Sequence, residues 1–164
     1  MLITYANTMK TEICTRALLM NQNSYLLVRH SSDWKWVLPG GHIEKDDITL
    51  IDALNREIEE EFWIQTVSWL SPIASCLKEN TIHTIGCPFI SYEVKYTDRK
   101  WRNRKKVEYI FYGLLEDNIQ IIPQVEEIFE YRWIPYSEVI SDDFPTFTSI
   151  KNIIQAIHTY AEKL

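Results

Sequence analysis

What this sequence lacks narrows it first. No apolar run reaches the roughly 18 residues that a helix needs to cross a bilayer. The opening MLITYANTMK has no apolar segment of the kind that directs a chain to secretion. Cysteine is scarce: Cys14, Cys76 and Cys87 are odd in number and far apart. That spacing excludes a disulfide scaffold, and no His/Cys cluster with zinc spacing appears. Reduced, buried thiols in a cytoplasmic protein are the expectation. Positive charge is also short, with 17 Lys and Arg against 23 Asp and Glu. A net charge of −6 argues against an extended nucleic-acid surface and against attraction to acidic membranes. Repeats, low-complexity tracts and linkers are missing too. With 46% apolar residues in a chain of 164, one domain over residues 1–164 with a full-size core is expected.

What is present is organised around Gly40 to Ile64, GGHIEKDDITLIDALNREIEEEFWI. A glycine turn leads into a helix, expected from about Ile48 to Trp63. Thr49 and Asp52 have capping-box spacing, and Asp46 and Asp47 suit the positive end of a helix. At helical spacing Leu50, Ile51, Leu54, Ile58 and Phe62 form the core-facing stripe. Four of the five residues from Glu57 to Glu61 are glutamates, and like charges so crowded repel one another. Glu59 and Asp52 point to solvent, and a solvated acidic face accounts for them. Glu61 falls inside the apolar stripe and Glu57 at its edge, where an unpaired carboxylate is costly. Glu60 and Arg56 lie together beside Ala53. Clustered carboxylates beside a turn rich in main-chain carbonyls offer hard oxygen donors, which suit magnesium or manganese and therefore phosphorus chemistry.

The rest of the chain reads mostly as strands. Thr11–Met20 and Tyr25–Arg29 are two strands joined by Asn21-Gln22-Asn23, and Asp33-Trp34-Lys35-Trp36 leads into a short third that ends at Pro39. Ser68–Leu77, Ile82–Tyr96, Lys106–Leu115 and Ile128–Ile134 are further candidates, with Pro72 and Pro88 marking edges or bulges. After Pro145, Ile150, Ile153, Ile154, Ile157 and Ala161 recur at helical spacing, with Thr146 or Thr148 as cap.

The central stretch resembles the Nudix box, G-x5-E-x7-R-E-U-x-E-E-x-G-U, where U is a bulky aliphatic residue. Gly41 matches the first glycine, Arg56-Glu57-Ile58 and Glu60-Glu61 match without a gap, and Ile64 matches the last position. Trp36-Val37-Leu38-Pro39-Gly40 resembles the usual lead-in. Three departures stand out. Asp47 replaces a glutamate, one extra residue lies between it and Arg56, and Trp63 replaces a glycine that normally closes the helix. The insertion falls in a loop, where it costs little. Trp63 requires another ending, for which burial of the indole is the expectation.

The resemblance implies an α/β/α sandwich, a mixed β-sheet with the box helix on one side and the C-terminal helix on the other. It also implies a hydrolase for a nucleoside diphosphate linked to another moiety. In that reading Glu57, Glu60 and Glu61, with the carbonyl of Gly40 or Gly41, hold Mg2+ or Mn2+. A glutamate or a metal-held hydroxide activates water, and Arg56 orients a glutamate. Members of the family often add an acidic residue before a late strand. Glu127 is the choice here, with Glu126 and Glu130 as alternatives and a solvent-facing acidic loop as the plain reading. Relatives are frequently homodimers.

Two features outside the box carry open readings. Asp98 to Lys106 places six basic residues around Trp101. It is either a soluble loop or a basic lid, with Arg102 and Arg104 meeting substrate phosphates and Trp101 stacking on a base. His42 either touches substrate or simply belongs to the turn, and His83 says less. A non-catalytic nucleotide-binding module is the alternative function, but such a module would be expected to lose box glutamates, and all are present. An isopentenyl diphosphate isomerase ranks last, because no cysteine lies in a motif resembling its own.

Overall fold

The computed structural model describes residues 10–30, 34–65, 67–70, 88–98, 100–115, 119–124 and 128–161. Strands β1 (Lys10–Asn21) and β2 (Ser24–His30) form a hairpin, with Asn21 opposite Ser24. Gln22 and Asn23 make its two-residue turn with φ of 44° and 69°. That mirror-image turn matches the right-handed twist of the strands, and asparagine tolerates it well. Helix α1 (Leu50–Phe62) follows, then β3 (Ser68–Leu70), β4 (Ile90–Thr97), β5 (Asn103–Leu114) and β6 (Ile128–Pro135). A single turn, α2 (Tyr136–Val139), and helix α3 (Thr148–Ala161) complete the described chain.

The sheet runs β3-β5-β1-β2-β6, and β4 pairs with β5 beside β3. Among the described strands only β1 and β5 pair in parallel, so the sheet is mixed as expected. Alternation along the strands divides the core in two. Ala17, Leu19, Leu26, Val28 and Phe111 pack with Leu54, Ile58 and Phe62 of α1. Leu18, Tyr25, Leu27, Ile110 and Tyr112 pack with Ile150, Ile153, Ile154 and Ile157 of α3. Helices therefore cover both faces.

Several boundaries differ from those read in the sequence. Strand β5 begins at Asn103, not Lys106, so Arg104 and Lys105 are strand residues, opposite Lys10 and Thr11 of β1. The short strand expected before Pro39 is reduced to bridges, Val37 with Val28 and Trp36 with Thr146. Neither threonine caps α3: Thr148 is its first residue, and the Thr146 hydroxyl donates to the Trp36 carbonyl at 2.6 Å. Pro88 lies just before β4, whose only described partner is β5. The expected strand portions 71–77 and 82–87, with Pro72, Cys76, His83 and Cys87, lie outside the described residues. Cys14 is a buried free thiol.

Candidate active site

The site begins where β1 and β2 part. Past the hairpin, residues 36–43 fill the widening gap between the strands. Val37 exchanges backbone hydrogen bonds with Val28 of β2. The chain then crosses to β1, where Ala17 N–H donates to the Pro39 carbonyl, Thr15 N–H to Gly41 and Ile43 N–H to the Ile13 carbonyl. Gly40 has φ of +113°, and a Cβ there would collide with the Thr15 carbonyl. Gly41 lies flat against the Glu57 carboxylate, and a Cβ would fill the space that carboxylate occupies. Gly40 is therefore required by its conformation, while a side chain at Gly41 would push the Glu57 carboxylate from its place.

Helix α1 has the register expected of it. The Thr49 side chain accepts from Asp52 N–H and Asp52 accepts from Thr49 N–H, the two halves of a capping box. Glu61 is 2% exposed, and its carboxylate accepts the Gly40 N–H at 3.0 Å. Glu59 is exposed. Arg56 gathers the rest. Its Nε and Nη2 donate to the two oxygens of Asp47 at 3.2 and 3.0 Å, and Nη2 also donates to the His42 carbonyl at 3.0 Å. Its Nη1 donates to Glu57 at 3.1 Å and to Glu60 at 2.9 Å. The extra residue before the helix thus leaves Asp47 able to reach Arg56.

Electrostatics follow from these contacts. The Arg56 fork holds the Asp47 carboxyl below its ordinary range, and Asp47 in turn raises the Arg56 pKa further. Burial pushes Glu57 up, opposed by the hydrogen bond from Arg56. Among the described residues, no three His, Cys, Asp or Glu side chains gather as a ready-made cation site. Glu57 and Glu60 share Arg56, and Glu61 turns to the Gly40 amide. The donor set nevertheless fits a hard cation. It consists of oxygens on one helix, next to a turn whose two glycines leave no Cβ in the way. Among the described residues Thr15 Oγ1 is buried without a hydrogen-bond partner, on the β1 face that Ala17 and Leu19 turn to α1.

The other expected site residues are placed differently. The side chain of His42 is 62% exposed, 3.8 Å from Glu12, and it reaches Arg56 only through its carbonyl. Arg102 and Arg104 are held by Asp98, with Nε donating at 2.8 and 3.0 Å. Those bonds, with the Asp98 contacts to backbone N–H groups, close the β4–β5 hairpin and press the Asp98 carboxyl far down. Arg104 is six β1 positions from the residue opposite Arg16, roughly 20 Å along the strand. The structure does not bring this hairpin to the glutamates. Glu130 pairs with Arg29 on β2. Glu126 and Glu127 lie outside the described residues. The flanking chain is tied to the end of α1, where Gln124 N–H donates to the Glu61 carbonyl at 2.9 Å and Ile128 N–H to Gln124 at 3.0 Å.

The sequence reading missed a cleft on the α3 side of the sheet. It measures about 410 Å³, and its lining includes Arg16, His30, Tyr92, Lys106, Glu108 and Phe147. Tyr92 donates its hydroxyl to Glu108, and burial together with that carboxylate raises the Tyr92 pKa. Arg16 joins cleft to turn: its Nη1 donates to the Gly40 carbonyl, and its Nε is 3.5 Å from Glu108. A signal was available, since Arg16 and Glu108 sit in phase with the inward residues Leu18, Ile110 and Tyr112. A charge at an inward strand position asks for a partner.

Comparison with known proteins agrees with this geometry. None of the curated protein sequences matches. Among solved structures, the chain is similar to the MutT protein from Methanosarcina mazei Go1, at 18% identity and TM-score 0.64, covering 94% of this chain and 97% of that one. A NUDIX-family hydrolase from Clostridium perfringens gives 17% identity and TM-score 0.65, with 90% and 96% covered. A C. elegans Ap4A hydrolase gives 12% identity and TM-score 0.62, with 94% and 98% covered. These likenesses establish the fold. The NUDIX domain model matches residues 10–156, nearly the whole chain, and the chain belongs to the Nudix family.

Proposed function

We propose that this Nudix pyrophosphohydrolase cleaves, with Mg2+ or Mn2+, the diphosphate bridge of a nucleoside diphosphate linked to another moiety. The observation that carries this reading is the Arg56 fork, which presents Glu57 and Glu60 beside the two-glycine turn. Glu57, Glu60, Glu61 and a carbonyl of Gly40 or Gly41 are the residues that would hold the ion, with Glu127 as a further candidate. The ion supplies charge neutralisation on the non-bridging and leaving-group oxygens.

Each side chain then has a definite task. Arg56 fixes the rotamers of Glu57 and Glu60, and Asp47 fixes Arg56, so the carboxylates are pre-set rather than mobile. Burial raises the Glu57 pKa against the hydrogen bond from Arg56, so a cation beside this carboxylate would offset the cost of holding it charged. The cleft is large enough for a nucleoside, and its aromatic side chains suit a planar base while Arg16 and Lys106 suit phosphate. The similarity to an Ap4A hydrolase supports placing dinucleoside polyphosphates in the substrate panel.

The deciding experiment is a panel of dinucleoside polyphosphates, nucleoside triphosphates, ADP-ribose and nucleotide sugars, each with Mg2+ or Mn2+ and each again with excess chelator. Cleavage at a diphosphate bridge that stops with chelator is the expected result. Cleavage that persists in chelator would remove the metal from the reading. Binding without cleavage across the panel would make the chain a nucleotide-binding module.

A further inference from the structure

The cation reading makes Gly40 and Gly41 carbonyls donors, yet both already accept hydrogen bonds within the protein. Gly41 takes an ordinary backbone bond from Thr15 N–H at 2.9 Å. Gly40 takes the guanidinium of Arg16, whose same Nη1 is 3.5 Å from the Leu38 carbonyl. The two cases differ in charge. An amide leaves the oxygen attractive to a cation, whereas a guanidinium on the same oxygen repels one at contact distance. Arg16 is also only 16% exposed, so solvent does little to weaken that repulsion.

We propose that Arg16 is a built-in occupant of the Gly40 carbonyl, which the divalent cation displaces, and that the freed guanidinium then takes a substrate phosphate in the cleft. The inference rests on the metal-dependent reading above. The geometry supplies both ends of the movement. Glu108 stands 3.5 Å from Nε and anchors the base of the guanidinium fork, while Nη1 holds the carbonyl. Glu108 is itself fixed by the Tyr92 hydroxyl and lies 3.8 Å from Lys106. A rotation about the Glu108 contact turns the free edge of the fork from the turn into the cleft that Arg16 already lines. Metal and substrate each favour the same released state, so each strengthens the binding of the other.

The test uses the whole protein and two readouts that move in opposite directions. Mn2+ binding without substrate is measured by calorimetry for wild type, Arg16→Met and Arg16→Lys. KM is then measured at saturating Mn2+. Arg16→Met keeps the length of the side chain and removes the charge. It should bind Mn2+ about tenfold more tightly, the scale of a charged hydrogen bond that no longer competes. Its KM should rise by about the same factor. Arg16→Lys keeps the charge, so its Mn2+ affinity should stay near wild type while KM remains raised, because lysine lacks the fork. Lys151→Met, on α3, removes the same charge elsewhere and should leave Mn2+ affinity unchanged. Equal Mn2+ affinity in wild type and Arg16→Met would overturn the Arg16 inference alone, as would an equal gain in Lys151→Met. Absence of Mn2+ binding in all four proteins would overturn the metal reading and this inference with it. If Arg16→Met does not fold, an unchanged KM in Arg16→Lys would still overturn the role at the phosphate.

Discussion

Two tryptophans stand at backbone positions that usually belong to glycine. Trp63 ends α1 in the left-handed region, φ 58°, donating its N–H to the Glu59 carbonyl, and Trp101 has φ 57° at the tip of the β4–β5 hairpin. The expectation that Trp63 closes the helix by burying its indole is not met, since the residue is 62% exposed. The helix ends through its backbone, in the conformation a glycine would take, and the side chain contributes little. Trp63→Gly should therefore be more stable than Trp63→Ala by about 1 kcal/mol, the reverse of their order inside a helix. Thermal melts should separate the two by about 2–4 °C, and equal melting temperatures would contradict the strained cap. Asp47 is the second test at this scale. Its carboxyl is held below the ordinary value of 3.8 by Arg56. Its contribution to stability is thus complete above pH 3.8 and fades as pH falls through the lower folded value. Asp47→Asn should cost about 1 kcal/mol near neutrality. Melting curves of wild type and variant should converge in strong acid, and a constant gap down to pH 2 would remove the pairing as its cause.

Helix α1 was the most legible element, because a period of 3.6 leaves a mark on 13 residues that no turn or partner can blur. The buried and exposed glutamates were separable on the wheel alone: Glu61 is buried and Glu59 exposed, as their phases require. The beginning of β5 was not legible. Asn103, Arg104 and Lys105 are all polar and read as loop, yet they pair with β4 on one edge, and Arg104 and Lys105 with β1 on the other. At that end of the sheet neither face is fully covered, so no apolar alternation is needed to hold the strand. The short α2 was equally silent, whereas α3 starts at Thr148, close to where the sequence put it, and only its cap was misread because the Thr146 hydroxyl goes to the Trp36 carbonyl. The legible part yields the sharpest comparison on the helix. Glu61→Gln keeps volume and can still accept the Gly40 N–H, so the metal-free melting temperature should hold or rise. Turnover should fall by about 10²-fold or more, as expected for a lost cation ligand. Glu59→Gln should change neither property. Equal damage from both variants would show that the register does not decide catalysis.

At the scale of the molecule, the sheet divides the work between its faces. The α1 face carries the glutamates and the glycine turn, the α3 face carries the cleft, and Arg16 reaches from one to the other. Sequence reading found the first face because its residues are contiguous in one box. It missed the second because Arg16, Tyr92, Lys106 and Phe147 come from four separate segments that only the fold brings together. The basic run nonetheless has a member in the cleft: Lys106 lines it, while Arg102 and Arg104 are spent on Asp98. For a protein of net charge −6, a cleft that sets Arg16 and Lys106 against the one carboxylate of Glu108 is a local inversion of sign that would draw in a polyanion. The rate constant kcat/KM should then fall as ionic strength rises. Lys106→Met should raise KM severalfold with kcat little changed, the pattern of uniform binding loss, and should flatten the salt dependence. Arg102→Met removes the same charge from the hairpin and should reproduce neither effect. If instead Arg102→Met raises KM as much as Lys106→Met does, the hairpin acts on the substrate as the basic-lid reading expects, and the cleft does not hold its phosphates alone.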